Sequence, residues 1–254
     1  MIKKRIIVCL DVKDGRTTKG ERFQNNIDIG DPVSMARKYY EQGVDELVFY
    51  DIMASARGRG PILDLIARVA AQVFIPFCVG GGIGSIADIR STILAGAEKI
   101  SLNSQAVKNP SLIAEGARVF GSQCIVLGMD AKKDDSAPSG YRVYINGGRV
   151  KTDFDALEWA KRAVSLGAGE IVLNSIDADG TRVGYELALT RMVSQSVPVP
   201  VIASGGGGTP EHLARVLSDG KADAALIASM VHSMGYTVGG IKDELRKSGV
   251  PVRL

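Results

Sequence analysis

Residues 75–102 read IPFCVGGGIGSIADIRSTILAGAEKISL. An apolar run, IPFCV (75–79), ends in three consecutive glycines; a helix-like segment follows, and a second short run, KISL (99–102), completes the unit. This is the order strand, tight glycine loop, helix, strand. It returns further on, where PVIASGGGGTPEHL (200–213) again joins an apolar run to glycines and a helix start.

Outward from that unit, short β-rich runs recur along the chain: RIIVCL (5–10), ELVFYD (46–51), IPFCV (75–79), KISL (99–102), CIVLGM (124–129), EIVLN (170–174), PVIA (200–203) and ADAALI (222–227). Amphipathic segments of helical length lie between them, among them DPVSMARKYYEQG (31–43), PILDLIARVAAQV (61–73), DALEWAKRAVSLG (155–167) and EHLARVLSDG (211–220). Several open on Asp or Pro and close on Gly, the residues that start and stop helices. Eight such repeats in 254 residues point to an α/β chain forming a single (β/α)8 barrel domain over residues 1–254, rather than an open doubly wound sheet. The longest irregular excursion, 130–153, contains a predicted hairpin, YRVYINGGRV (141–150), turned by Asn146-Gly147.

The two halves of the chain resemble each other. DVKDG at 11 answers DAKKD at 130, VGGGI at 79 answers SGGGG at 204, and LNS at 102 answers IAS at 227, with offsets of 119, 125 and 125 residues. Two similar four-unit halves give a barrel with two-fold pseudo-symmetry, so a group bound at the rim by one half has a counterpart in the other.

Composition excludes several classes. With 45% hydrophobic and 23% charged residues the chain is an ordinary globule. Its 31 basic residues are interspersed with 28 acids, so no basic stripe marks a nucleic-acid surface. The apolar run after MIKKR stops at Asp11, too short for a signal core or a membrane span, and a cytoplasmic location is expected. Cys9, Cys78 and Cys124 lie in separate apolar runs and read as buried free thiols. His212 and His232 fit no metal-ligand spacing, so no metal is expected and helix-surface or capping roles are assigned to both. Trp159 reads as packing.

Function is sought at the C-terminal ends of the strands, where such barrels carry their sites. Both glycine runs fall there and read as phosphate cradles, since bare backbone N–H groups approach an anion and the following helix points its positive end at it. LNS (102–104) and IAS (227–229) would close the cradles with an amide or a hydroxyl. Two cradles across one mouth imply an elongated bisphosphate. Strand parity places Arg5, Ile7, Cys9 and Asp11 on one face, and Cys124, Val126, Gly128 and Asp130 on another. If both faces point inward, Asp11 and Asp130 oppose each other across the mouth, an arrangement suited to general acid–base chemistry. At the other strand ends, Arg5, Glu46, Lys99 and Glu170 alternate in sign and would close the floor as a neutral network.

Taken together, CLDVKDGRTTKG, VGGGI, DAK, SIDADGT, IASGG and the closing GVPVR make the whole chain similar to the cyclase subunit of imidazole glycerol phosphate synthase. The resemblance implies a heterodimer in which a separate glutaminase subunit makes ammonia. The ammonia then reacts with a bisphosphate ribulosyl-formimino aminoimidazole carboxamide ribotide, giving imidazole glycerol phosphate for histidine synthesis and the aminoimidazole carboxamide ribotide. No cofactor is implied. Asp11 and Asp130 then correspond to the acid–base pair, and Lys19, in a flexible first loop GRTTKGERF, to a substrate-contacting lysine. Gly82, Asn103 and Ser104 would hold one phosphate; Asp179, Gly180, Gly205, Gly206 and Ser229 correspond to positions around the other. Arg5, Glu46, Lys99 and Glu170 resemble the gate of an ammonia channel.

The chain departs from the family pattern at Asn174, where Thr is usual, at Ala178, which replaces a basic residue, and at Met129, Gly84 and Glu98. Three rivals share parts of the pattern: the sister barrel that isomerises the related ribotide, a paralogue serving the amidation of surface sugars, and a non-catalytic phosphate-binding scaffold. The first needs no ammonia gate, the intact substrate-like motifs argue against the second, and the third leaves two opposed acids unexplained.

Overall fold

The computed structural model describes residues 2–21, 24–54 and 60–253. In chain order the strands are β1 (Arg5–Lys13), β2 (Arg16–Glu21), β3 (Gln24–Gly30), β4 (Glu46–Asp51), β5 (Phe77–Gly80), β6 (Lys99–Leu102), β7 (Ile125–Lys133), β8 (Tyr141–Ile145), β9 (Val150–Asp155), β10 (Glu170–Ser175), β11 (Val201–Ser204) and β12 (Ala224–Ile227). Eight of these, β1, β4, β5, β6, β7, β10, β11 and β12, pair in parallel in that order, and β12 returns to β1 through Arg5 opposite Ala224. The sheet is therefore a closed TIM barrel, as the eight β-rich runs required.

The helices form where the start and stop residues placed them. Asp31 caps α1 (Pro32–Glu41), its carboxylate accepting from the Ser34 N–H at 2.8 Å with Pro32 at the first helical position. Helices α2 (Leu63–Ala70) and α3 (Ile86–Leu94) follow β4 and β5, and Ser85 caps α3. A short α4 (Ser104–Lys108) and then α5 (Ser111–Phe120) follow β6. In the second half, Asp155 caps α6 (Ala156–Ser165), accepting from Leu157 and Glu158. Helices α7 (Leu187–Ser194), α8 (Pro210–Ser218), a short α9 (Ser229–His232) and α10 (Val238–Lys247) complete the shell.

Strand parity sorts the core. Ile7, Cys9, Val48, Cys78, Val126, Val172, Ile202, Ala224 and Leu226 pack inside the barrel, while residues of opposite parity such as Ile6, Val8 and Leu10 pack outward against helices. The face carrying Ile7 and Cys9 is thus the inner one. Trp159 is fully buried against that outer core. Cys9 and Cys78 are buried free thiols as expected; Cys124 is only half-buried, because it lies in a single 3-10 turn before β7 rather than in the strand.

The halves match element by element. A short helix follows β6 and its counterpart β12, and an antiparallel hairpin follows both β1 and β7. The first hairpin puts paired strand where a loop was expected at GRTTKGERF. Arg16 to Thr18 pair with β1, Asp11 opposite Thr18, and Thr17 to Glu21 pair with β3, with Thr17 and Thr18 buried. Phe23, at the end of that stretch, lies outside the described residues. The second hairpin has the expected strands, and its turn runs through Asn146, Gly147 and Gly148, all at positive φ.

Candidate active site

A cavity of about 210 Å³ opens at the C-terminal ends of the barrel strands. Asp11, Lys19, Gly82, Asn103, Ser104, Asp130 and Asp179 all line it. Sequence parity therefore brought the two opposed acids to one chamber. Gly180, Gly205, Gly206 and Ser229 are not in its wall; their chain neighbours Asp179, Ser204 and Ala228 are.

The acids are held differently. Asp130 is buried and receives two amides, from Asn103 at 2.9 Å and from Asn174 at 3.0 Å, one on each carboxylate oxygen. Ser204 in turn donates to the Asn174 carbonyl at 3.1 Å, which fixes the orientation of that amide. Burial pushes the Asp130 carboxyl above its ordinary range; the two amides oppose this, and the charge of Asp11 adds to it. Asp11 is also raised by burial, against the pull of Lys19 and a hydrogen bond from the Cys9 thiol at 3.4 Å. Asp179 is pushed up to about 6 by burial, with Lys19 opposing and the negative charges of Asp11 and Asp130 contributing. Asp11, Asp130 and Asp179 thus share one poorly solvated chamber, so a proton taken up by one eases the others.

Several assigned roles shift with the geometry. Asn103 was expected to hold phosphate, yet its side-chain NH2 is turned to Asp130. Asp179 carries a carboxylate, which repels an anion, so its side chain belongs with the acids and only its backbone suits a phosphate site. Asn174, a departure from the family pattern, is the second support of Asp130. The Ser104 hydroxyl accepts from the Asn146 N–H at 2.9 Å, and among the described residues its own proton has no acceptor, leaving it to donate into the cavity.

The two glycine loops differ. Gly82 opens on the cavity. Gly206, at φ 98°, lies under the segment that follows β10: its carbonyl accepts from the Gly184 N–H at 2.8 Å, and a Cβ on Gly206 would collide with the Gly184 carbonyl. Close packing of two loops accounts for that glycine without any ligand.

At the floor, Arg5 donates to Glu46 at 2.7 Å and to Glu170 at 2.5 Å, and Lys99 donates to Glu46 at 2.9 Å and to Glu170 at 2.8 Å. Each carboxylate touches both cations, so the four expected residues form a closed ring of zero net charge. Burial works to lower the Arg5 and Lys99 pKa values, but the two carboxylates outweigh it and both are raised; Glu46 is raised by burial and by Glu170. Between ring and cavity lie the apolar inner side chains, among them Ile7, Val48, Val126 and Val172.

Some site residues were not found by sequence reasoning. Arg149, Asn146 and Gly147 of the second hairpin line the cavity, as do Tyr50 and Gln105. His232 does not take the helix-surface role assigned to it. Its Nδ1 meets the Tyr39 hydroxyl at 2.6 Å and its Nε2 meets the Cys9 carbonyl at 2.9 Å, tying α9 and α1 to β1 beside Asp11; burial lowers its pKa to about 4, so the ring is neutral and Nε2–H donates. His212 does take a capping role, accepting from the Gly208 N–H at 3.3 Å.

Among the described residues no helix is long and apolar enough to cross a membrane. The histidine biosynthesis protein family matches residues 5–237. The chain is 64% identical over 256 aligned residues to a Syntrophobacter fumaroxidans protein, with 100% of this chain and 99% of that protein aligned. It is 62% identical to a Desulfatibacillum aliphaticivorans protein over 100% of this chain and 98% of the relative. For a Desulfosudis oleivorans protein the figures are 61%, 100% and 99%. All three relatives bear the name imidazole glycerol phosphate synthase subunit HisF. With acids, barrel and full-length similarity in agreement, the chain belongs to the HisF family, the cyclase subunits of imidazole glycerol phosphate synthase in histidine biosynthesis.

Proposed function

We propose that the barrel mouth binds the bisphosphate ribulosyl-formimino aminoimidazole carboxamide ribotide and that Asp11 and Asp130 move protons on either side of it while ammonia adds, the imidazole ring closes and the chain is cleaved. The observation that carries this is the shared cavity of the two acids above a dry barrel core. Asp130, locked by Asn103 and Asn174, suits a fixed proton acceptor and donor; Asp11, with only a thiol partner and the charge of Lys19, is freer to follow the substrate. Backbone and hydroxyl groups at Gly82 and Ser104 suit one phosphate. The other end of the substrate falls to the side bounded by Ser204 and Ala228, with Gly180, Gly205, Gly206 and Ser229 behind it.

The floor ring supports an entry for ammonia. Ammonium would forfeit its hydration among Ile7, Val48 and Val172, a cost of several kcal/mol that neutral ammonia avoids. A glutaminase subunit docked under the ring, in the cytoplasm, would deliver ammonia to that entry, in keeping with relatives named as subunits. Purified chain supplied with the bisphosphate substrate and ammonium salt at alkaline pH should consume the substrate without any glutaminase, whereas glutamine should serve only when that subunit is added. A chain inert with ammonium would dismiss the reading.

A further inference from the structure

Among the described residues the cavity wall carries the carboxylates Asp11, Asp51, Asp130 and Asp179 and the cations Lys19 and Arg149, and Asp51 has further partners of its own. A bisphosphate adds several more negative charges to that chamber, and neutral donors alone do not balance them in a poorly solvated site. The two cations come from equivalent places in the two halves. Lys19 sits on the hairpin after β1 and Arg149 at the turn of the hairpin after β7. Asp11 faces Thr18 and Asp130 faces Tyr144, so the position equivalent to Lys19 in the second half is Ile145, and that half presents its cation four residues further on, in the turn.

The second hairpin leans back over the loop of the strand that precedes its own, and the pseudo-symmetry gives the first hairpin the corresponding place beside the loop after β12. The second meets the β6 loop through the Asn146 N–H to Ser104 bond at 2.9 Å, and the Arg149 N–H closes the turn on the Ile145 carbonyl at 3.1 Å. Three successive residues at positive φ, Asn146 to Gly148, hold the turn in that shape. Among the described residues Arg149 makes no ion pair, and its side chain is exposed at the cavity rim. On the other side, Lys19 acts electrostatically on Asp11, Asp179 and His232, groups of β1, of the β10 loop and of α9 after β12. The pseudo-symmetry that carries β1 onto β7 also carries β12 onto β6, so the two hairpins make the same move.

We infer that Arg149 is the counter-ion of the phosphate seated at Gly82 and Ser104, and that Lys19 serves the phosphate on the opposite side, each hairpin bringing a cation to the cradle of the other half. The guanidinium fork pairs with two phosphate oxygens at once, which suits it to an open rim where a single ammonium would hold less well.

This rests on the proposed bisphosphate substrate, and wild-type turnover with ammonium tests that reading separately. The inference is tested by product inhibition, because the two products each retain one phosphate. Imidazole glycerol phosphate and the aminoimidazole carboxamide ribotide are titrated against wild-type, Arg149→Gln, Arg149→Lys and Lys19→Gln enzymes. In Arg149→Gln the inhibition constant of one product should rise about tenfold or more while the other stays within about twofold, and in Lys19→Gln the affected product should be the other one. Arg149→Lys should lose only part of the effect, about two- to fivefold. Equal weakening of both products by Arg149→Gln, no change in either, or the same product affected in both Gln variants would overturn the inference.

Discussion

Asn174 and Asp130 stand opposite each other on neighbouring parallel strands, and the amide of the first donates to a carboxylate oxygen of the second at 3.0 Å. The bond favours the ionised carboxylate in a place where burial disfavours it. Removing the donor in Asn174→Leu should therefore raise the Asp130 pKa further. The limb of the pH–rate profile that reports Asp130 should move to higher pH, and kcat/KM at neutral pH should fall about tenfold. Asn174→Thr, which retains a hydroxyl donor, should keep most of the activity. A pH profile of the Leu variant superimposable on the wild type would detach Asn174 from Asp130 function.

Changing either acid tests the pair directly. Asp11→Asn and Asp130→Asn keep shape and lose the exchangeable proton, so ammonium-dependent turnover should drop by about 10²–10⁴-fold in each. Asp11 is the cleaner case, because among the described residues its side chain has only the Cys9 thiol as a hydrogen-bonding side-chain partner. Single-turnover kinetics with a circular dichroism spectrum matching the wild type would locate the loss in chemistry; a variant within about threefold of wild type would release that residue from its role.

What could be read from sequence was set by periodicity. Asp11 and Asp130 were legible because a strand repeats every two residues and each acid closes an apolar run of fixed parity. The ring of Arg5, Glu46, Lys99 and Glu170 was legible for the same reason at the other strand ends. Lys19 was named by resemblance, but its strand went unseen: RTTKGE has no apolar alternation, and it pairs with the end of β1 beyond the apolar run, at Asp11 to Lys13. Arg149 was missed because a turn sequence announces only a turn; which loop it lands on depends on the Asn146 to Ser104 contact, 42 residues apart in sequence. Gly206 has a packing reason that its sequence did not announce. A glycine run reads the same whether its bare backbone meets an anion or, as here, another loop at Gly184. His232 carried no local signal at all, since its partners lie on α1 and β1, about 200 residues away.

Asp179 should make stability depend on pH. Its folded pKa is about 6, raised above the ordinary Asp value of 3.8 chiefly by burial. The sign is that of a destabilised charge: above pH 6 the folded state bears the full penalty, and as pH falls from 6 towards 4 protonation of the folded protein relieves it. Asp179→Asn should accordingly be more stable than wild type at pH 8, by roughly 3 kcal/mol, with the gap closing towards pH 4. Thermal melts of both proteins across that range measure it, and a gap that is constant with pH would assign the stabilisation to something other than the charge.

The proposed route for ammonia makes the floor ring answerable for both stability and delivery. Lys99 touches Glu46 and Glu170, both nearly inaccessible, so Lys99→Met leaves two buried carboxylates sharing the single cation Arg5. Breaking a buried pair in this way costs up to about 3–5 kcal/mol, and less here because the lysine itself is 18% exposed, giving an expected loss of about 2–3 kcal/mol in urea unfolding. On the proposed function, ammonium-driven turnover would draw ammonia from bulk solvent and should fall little, whereas glutamine-driven turnover with the glutaminase subunit would depend on passage through the ring. The ratio of glutamine- to ammonium-driven rates should therefore drop severalfold in Lys99→Met while the acid pair at the far end of the barrel stays intact. Unchanged coupling in a measurably destabilised variant would reduce the ring to a structural plug, since the same four charges would then contribute to folding and nothing to delivery.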